Sequence, residues 1–105
     1  MFARVIELKT ETGKAREVCA KIHERVLSAL RAQPGFIDEI VLTSNTEGIL
    51  ALSFWRTRED AERYSRERYA QITQLIEFQA HSLPKVHTFD VETSTVYKIS
   101  RGKAA

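Results

Sequence analysis

A cysteine and a histidine, Cys19 and His23, lie four residues apart in this sequence. Residues at this spacing are neighbours on one face of a helix, so the pair could be an activated thiolate or half of a metal site. The other two histidines, His81 and His87, do not extend the pair into a recognised ligand spacing. A small buried cysteine beside a histidine at the edge of an apolar stripe is the commoner arrangement, and we expect no metal.

The only tryptophan, Trp55, ends an apolar run in the stretch ALSFWRTREDAERY. Together with Tyr64 and Tyr69, it flanks the junction between a predicted strand and a predicted helix. Aromatic side chains with polar tips often line pockets for small apolar molecules. Ser53 shares a strand face with Trp55 and leaves room for a ligand or a closely packed neighbour. A structural role is favoured for Trp55, whereas structural and functional roles are evenly balanced for Tyr64.

The segment from residue 56 to residue 68 looks like a basic patch, but acidic residues alternate with its arginines. Its net charge is only +1, and two pairs have the favourable order at i, i+4, namely Glu59–Arg63 and Glu62–Arg66. This pattern is typical of a solvated helix face. We therefore expect no nucleic-acid partner.

The carboxylates form no evident catalytic pair. Glu7 is the one acidic residue inside a strongly apolar run, and if it is buried it could act as a base. Such a group more often lies at the end of a sheet or pairs with an arginine. The sequence also has no phosphate-binding glycine-rich loop, no GxSxG and no HExxH.

Length and composition favour a single soluble domain. The 105 residues are 43% hydrophobic and 29% charged, and the net charge of +2 is too small to indicate nucleic acid or an anionic membrane. The single cysteine excludes an internal disulfide and is typical of a reducing compartment. No segment has the pattern of a signal peptide or a membrane span. We expect a cytoplasmic protein with a core at about residues 3–92 and a C-terminal extension at residues 93–105.

Hydrophobic periodicity predicts four strands and two helices. The strands are predicted at residues 2–9, 36–44, 49–55 and 85–92, and the helices at residues 14–32 and from Thr57 to Pro84, with a break near Tyr69. Gly48 is expected to supply positive φ in the hairpin, and TVYKI to add a short C-terminal extension. The order β-α-β-β-α-β predicts an α+β, ferredoxin-like fold, in which a four-stranded antiparallel sheet carries both helices on one face.

The strands are apolar on both faces, as in the nearly continuous run from Ile49 to Trp55. Such runs indicate that both faces of the sheet are covered, but the two helices can cover only one. A second copy, packed sheet to sheet, would cover the other. A monomer would leave an exposed apolar face, so we predict a homodimer.

Three segments, ETGK, QPGF and LSFWRTREDAERY, resemble the antibiotic biosynthesis monooxygenase (ABM) domain family over about residues 3–92. The resemblance implies a dimeric α+β barrel. Members include cofactor-free oxygenases of quinol-like aromatics, haem-degrading enzymes and proteins without an assigned activity. The asparagine, tryptophan and histidine used by haem-degrading members fall at Ile6, near Tyr64 and near Thr73–Gln74. The axial histidine is therefore missing, and we expect no haem and no other cofactor.

The resemblance implies a homodimer that binds a small apolar or aromatic molecule between the sheet and the helices, with cofactor-independent monooxygenation of quinol-like substrates as its activity. A non-enzymatic ligand-binding or interaction module on the same fold is the alternative. We expect no nucleic acid and no membrane as partners. The candidate catalytic residues are Tyr64 and His23, and the candidate substrate-binding residues are Trp55, Tyr69, Ser53 and Cys19.

Overall fold

The computed structural model describes residues 1–11, 13–44, 48–68, 70 and 84–99. Its elements follow the predicted order: β1 (Phe2–Lys9), α1 (Ala15–Arg31), β2 (Phe36–Thr43), β3 (Gly48–Trp55), α2 (Arg58–Glu67) and β4 (Lys85–Asp90). The strands form one antiparallel sheet in the order β2-β3-β1-β4. This confirms the ferredoxin-like fold. The predicted break near Tyr69 and the predicted helix at residues 71–83 lie outside the described residues.

The first helix, α1, packs an apolar stripe onto the sheet. Its buried residues recur at helical spacing and are Ala15, Val18, Ile22, Val26 and Leu30. The helix ends before Pro34 and Gly35, as predicted. Gly35 has φ 81°, and a Cβ there would lie 2.2 Å from Asp60 Oδ2, so this turn needs glycine for both its conformation and its space.

The second helix, α2, begins at a side-chain cap. Thr57 has extended backbone angles, and its Oγ1 accepts a hydrogen bond from the Asp60 N–H at 3.1 Å, which confirms the predicted N-cap. Arg63 pairs with Asp60 at 3.4 Å, three residues away, in place of the predicted partner Glu59. The predicted Glu62–Arg66 pair is likewise not formed within the described part of the chain.

The prediction that Gly48 supplies positive φ is wrong. Gly48 is the first residue of β3, and positive φ occurs among the described glycines at Gly13 and Gly35. The Gly48 N–H donates to Ser44 Oγ, and its carbonyl accepts from the Ser44 N–H, both at 2.9 Å. These two hydrogen bonds join the end of β2 to the start of β3.

The chain beyond β4 crosses the sheet. The last strand ends at Asp90, two residues earlier than predicted, and the Val91 N–H then donates to the Met1 carbonyl at 3.0 Å. The Tyr97 hydroxyl donates to the carboxylate of Asp38 on β2. Because β2 and β4 are the outer strands, residues 91–99 run from one edge of the sheet to the other, and TVYKI adds an extension without forming a strand.

The two faces of the sheet differ in burial. The face toward the helices supplies Phe2, Leu8, Ile49 and Trp55 to the core. Side chains alternate along a strand, so the intervening residues form the opposite face. There the cross-strand register groups several exposed apolar side chains, which we call the open face: Ile40, Leu42, Leu50 and Phe89. No helix in the described part of the chain is long and apolar enough to cross a membrane.

Candidate functional site

A cleft of about 280 Å³ lies between α2 and the strands β1 and β4. Its apolar lining consists of Phe2, Ala61 and Val86, and its polar lining consists of Arg4, Arg58, Glu62, Ser65 and Thr88. The cleft lies between the sheet and α2, the region in which the family resemblance implies a ligand pocket.

Two periodicities bring the lining residues together. On β1, Phe2 and Arg4 are two residues apart and so point to the same face of the sheet. On β4, Thr88 is the cross-strand partner of Arg4. On α2, the lining residues are positions 58, 61, 62 and 65, and the spacing i, i+3, i+4, i+7 places them on one side of the helix.

Each arginine of the cleft lies over an aromatic ring. The guanidinium carbon of Arg4 is 5.2 Å from the centre of the Tyr64 ring, and that of Arg58 is 5.2 Å from the centre of the Phe2 ring. Both distances are within the range of cation–π attraction. Arg4 is buried and Arg58 is exposed, so the two cations lie at different depths of the cleft.

Three of the predicted site residues, Trp55, Tyr64 and Ser53, meet in the core behind the cleft. Trp55 is 0% exposed and Tyr64 is 3% exposed, with ring centres 4.9 Å apart. The Trp55 Nε1–H donates to Ser53 Oγ at 2.9 Å, and Phe36 packs edge-on against Trp55. None of the three lines the cleft, and Tyr64 is connected to it through Arg4.

Two more of the predicted site residues, Cys19 and His23, lie on α1 and do not line the cleft. Cys19 is half-buried against the core, and burial raises the pKa of its thiol, so the neutral thiol is favoured over an activated thiolate. His23 is exposed. The described residues contain no group of three or more histidine, cysteine or acidic side chains that could hold a metal. Tyr69 is outside the described part of the chain.

The exposed His23 is paired with a buried carboxylate, Glu39. The two side chains approach to 3.9 Å between His23 Nδ1 and Glu39 Oε1, and the Glu39 side chain is only 5% exposed. Burial raises the pKa of Glu39, while the charge of His23 lowers it and that of Asp38 raises it further. This carboxyl group lies under α1, where it affects stability, and does not line the cleft.

Glu7 does not have the buried position that a base in an apolar run would need. Its side chain is 41% exposed, and its Oε2 lies 3.3 Å from Nε2 of His87. The cross-strand register places Glu7 opposite Leu50, so it belongs to the open face. Its partner is thus a histidine on the neighbouring strand, not an arginine.

The sequence pattern does not single out the five polar residues of the cleft. A signal for Arg4 is nevertheless present, since it occupies the same alternating set as Phe2, Ile6 and Leu8, which are apolar. A charged side chain among the core-facing positions of β1 is expected either to be buried with a partner or to lie at a binding site. The remaining four become visible only when α2 is docked on the sheet.

Sequence comparison assigns the family. Residues 1–74 match the family described as antibiotic biosynthesis monooxygenase. The chain belongs to the ABM family. The match spans β1 to α2, so every lining residue of the cleft except Val86 and Thr88 falls within the ABM region. A search of curated proteins finds no match.

Several solved structures share the fold of this chain. SnoaB, a cofactor-independent oxygenase from Streptomyces nogalater, is 11% identical with a TM-score of 0.70, and the alignment covers 90% of this chain and 95% of SnoaB. A conserved protein from Methanosarcina mazei Go1 is 16% identical with a TM-score of 0.68, covering 88% and 94%. Rv0793 from Mycobacterium tuberculosis is 11% identical with a TM-score of 0.65, covering 90% and 99%. These likenesses establish a shared ABM fold.

Proposed function

We propose that this ABM protein binds a small aromatic molecule in the cleft between α2 and the sheet, and that it acts as a cofactor-independent monooxygenase of a quinol-like ring. The observation that supports this proposal is the cleft itself. A volume of about 280 Å³ is just below the usual range of about 300–1,000 Å³ for ligand pockets, and the combination of apolar residues with convergent polar groups is found in such sites. The fold shared with SnoaB, a cofactor-independent oxygenase, adds support.

In the proposed reaction, the protein deprotonates a ring hydroxyl of the quinol and shields the ring from water, and the substrate itself supplies the electrons that reduce O2. One oxygen atom forms a bond to a ring carbon, the other leaves as water with two hydrogens of the substrate, and the product is a hydroxylated quinone. The two guanidinium groups favour the ionised oxygen of the ring, because a nearby opposite charge stabilises the charged form. Glu62 is the one carboxylate among the described lining residues and is placed to accept the proton. The Tyr64 ring packs against the Arg4 guanidinium on the side away from the cleft, which makes Tyr64 a positioning residue in this scheme.

The same proposal includes a homodimer formed through the open face. Ile40, Leu42, Leu50 and Phe89 are exposed there although they are large and apolar. Large apolar side chains exposed on one face of a sheet are typical of an interaction surface. A second copy related by two-fold symmetry would present the same apolar patch, so the contact would be self-complementary. We place this dimer in the cytoplasm, on the evidence of its single cysteine.

One observation favours the alternative, a non-enzymatic ligand-binding module on the same fold. Tyr64, the candidate catalytic residue on α2, is packed between Trp55 and Arg4 and is almost fully buried. A ligand in the cleft would therefore not touch it. If Glu62 also has no role in proton transfer, the cleft would bind aromatics without chemistry.

Oxygen uptake with a panel of quinols separates the two functions, provided that binding of each quinol is measured on the same protein preparation. The monooxygenase proposal predicts uptake that Glu62→Gln lowers by about 10²-fold or more, the usual contribution of a general base. Glu59→Gln removes the same charge at an exposed position of α2 that does not line the cleft, and should leave the rate unchanged. Binding of quinols without uptake would reject the enzyme and support the module.

A further inference from the structure

Arg58 has an unusual environment for an exposed arginine. Its guanidinium lies over the ring of Phe2, which is buried, and lines the cleft. Among the described residues, no carboxylate is within 4 Å of it, although Glu62 follows it by one helical turn. Arg63 on the same helix does pair, with Asp60 at 3.4 Å. The Phe2 ring thus holds the Arg58 cation at the cleft, and no described carboxylate pairs with its hydrogen-bond donors.

The electrostatics of the cleft favour an anion. Among the described lining residues, two are arginines and one is a glutamate, so this part of the lining carries a net positive charge. Arg4 is buried, where its charge is screened less by solvent than a surface charge would be. A guanidinium also offers a planar fork of donors that matches the two oxygens of a carboxylate, which a point charge would not.

We propose that the cleft selects aromatic anions, rings that carry a carboxylate or an ionised hydroxyl, and that Arg58 is the residue that determines this selectivity. The inference rests on the proposed binding of a small aromatic molecule in the cleft. The ring contacts the apolar wall formed by Phe2 and Val86, and the negative oxygen accepts hydrogen bonds from Arg58. In the proposed monooxygenation, the same contact stabilises the phenolate, the form of the substrate that gives up electrons to O2.

A matched pair of probes tests the charge alone. 2-Naphthoate and 2-naphthamide have the same rings, but at neutral pH only the first is charged. Isothermal titration calorimetry should show wild-type protein binding the naphthoate roughly tenfold more tightly, the gain expected from one charge-assisted hydrogen bond in a partly exposed site. Arg58→Gln should abolish this preference and leave the affinity for the amide unchanged. Arg58→Lys keeps the charge and should retain part of the preference.

Arg56→Gln is the control, because it removes one positive charge two residues away, outside the cleft. It should leave the tenfold preference intact. Equal affinity of the wild type for both probes, or an undiminished preference in Arg58→Gln, would overturn the inference while the cleft would still bind aromatics. Failure of the wild type to bind either probe would instead overturn the proposed function, and the inference with it. Circular dichroism of each variant shows that it is folded.

Discussion

Replacing Leu42 and Leu50 with serine should dissociate the proposed homodimer. The two leucines are cross-strand partners on β2 and β3, and they lie together on the open face. Each is large, apolar and only partly covered, with 48% of Leu42 and 39% of Leu50 exposed. Serine is small and polar, so the double variant removes apolar area from the patch without crowding the underlying sheet.

The exposed fractions set the size of the effect. Full burial of a leucine side chain contributes about 1.5–3 kcal/mol. Together, the exposed parts of the two residues amount to a little less than one leucine, so each protomer would lose about 1.3–2.6 kcal/mol. Two-fold symmetry doubles this to about 2.6–5.2 kcal/mol, which corresponds to a dissociation constant weaker by roughly two to four orders of magnitude.

Sedimentation velocity over a wide concentration range measures this change. The double variant should sediment as a folded monomer at concentrations where the wild type is dimeric. Val86→Ser is a matched control, because Val86 is 40% exposed but lies on the cleft side of the sheet. A wild type that stays monomeric throughout, or a double variant that dimerises as tightly as the wild type, would refute the argument from the open face.

Two further predictions concern buried groups. Tyr64→Phe should lower the free energy of unfolding by only about 1 kcal/mol. Tyr64→Ala should lower it by about 3–5 kcal/mol, because it removes the ring packed on Trp55. Urea unfolding measures both values, and equal losses in the two variants would contradict a packing role. Burial raises the pKa of Glu39 in the folded state above its pKa in the unfolded chain. The stability that protonated Glu39 contributes is therefore fully present below the unfolded pKa and is lost as pH rises through the folded pKa. Glu39→Gln should therefore be more stable than wild type at neutral pH. The difference should be on the order of 1 kcal/mol, because His23 and residual solvent offset part of the cost of burying the Glu39 carboxylate. It should vanish at acidic pH, where Glu39 is neutral. Calorimetric melting across a pH series checks this, with exposed Glu24→Gln as the control, and a difference independent of pH would exclude titration of Glu39 as its cause.

The secondary structure could be predicted because its signals are local. The apolar stripe of α1, the Thr57 cap and the Pro34–Gly35 stop each act within a few residues. The apolar character of the open face followed from the nearly continuous apolar runs along the strands, which are also local signals. One exception is the backbone of Gly48: its N–H donates a hydrogen bond to the Ser44 side chain, a contact that composition alone does not reveal.

The residues that line the cleft could not be predicted because they are distant from one another in sequence. Tyr64 and Arg4 are sixty positions apart, and only the docking of α2 on β1 brings the ring under the guanidinium. From the sequence, Tyr64 could equally have lined the pocket or supported it. Its packing on Trp55 supports the second interpretation, and a ligand in the cleft would meet Arg58 and Glu62 before it.

Arg4 links the cleft to the open face through the register of β1. Its neighbours Ala3 and Val5 belong to the opposite face of the sheet, so a slip of one residue would place them in the cleft and Arg4 on the apolar patch. On the open face, the Arg4 guanidinium would lose its contact with the Tyr64 ring, and burying it there under a second copy would cost free energy. The contact with Tyr64 therefore stabilises one register over the other. The residue that adds positive charge to the cleft also determines which side chains are available for dimerisation.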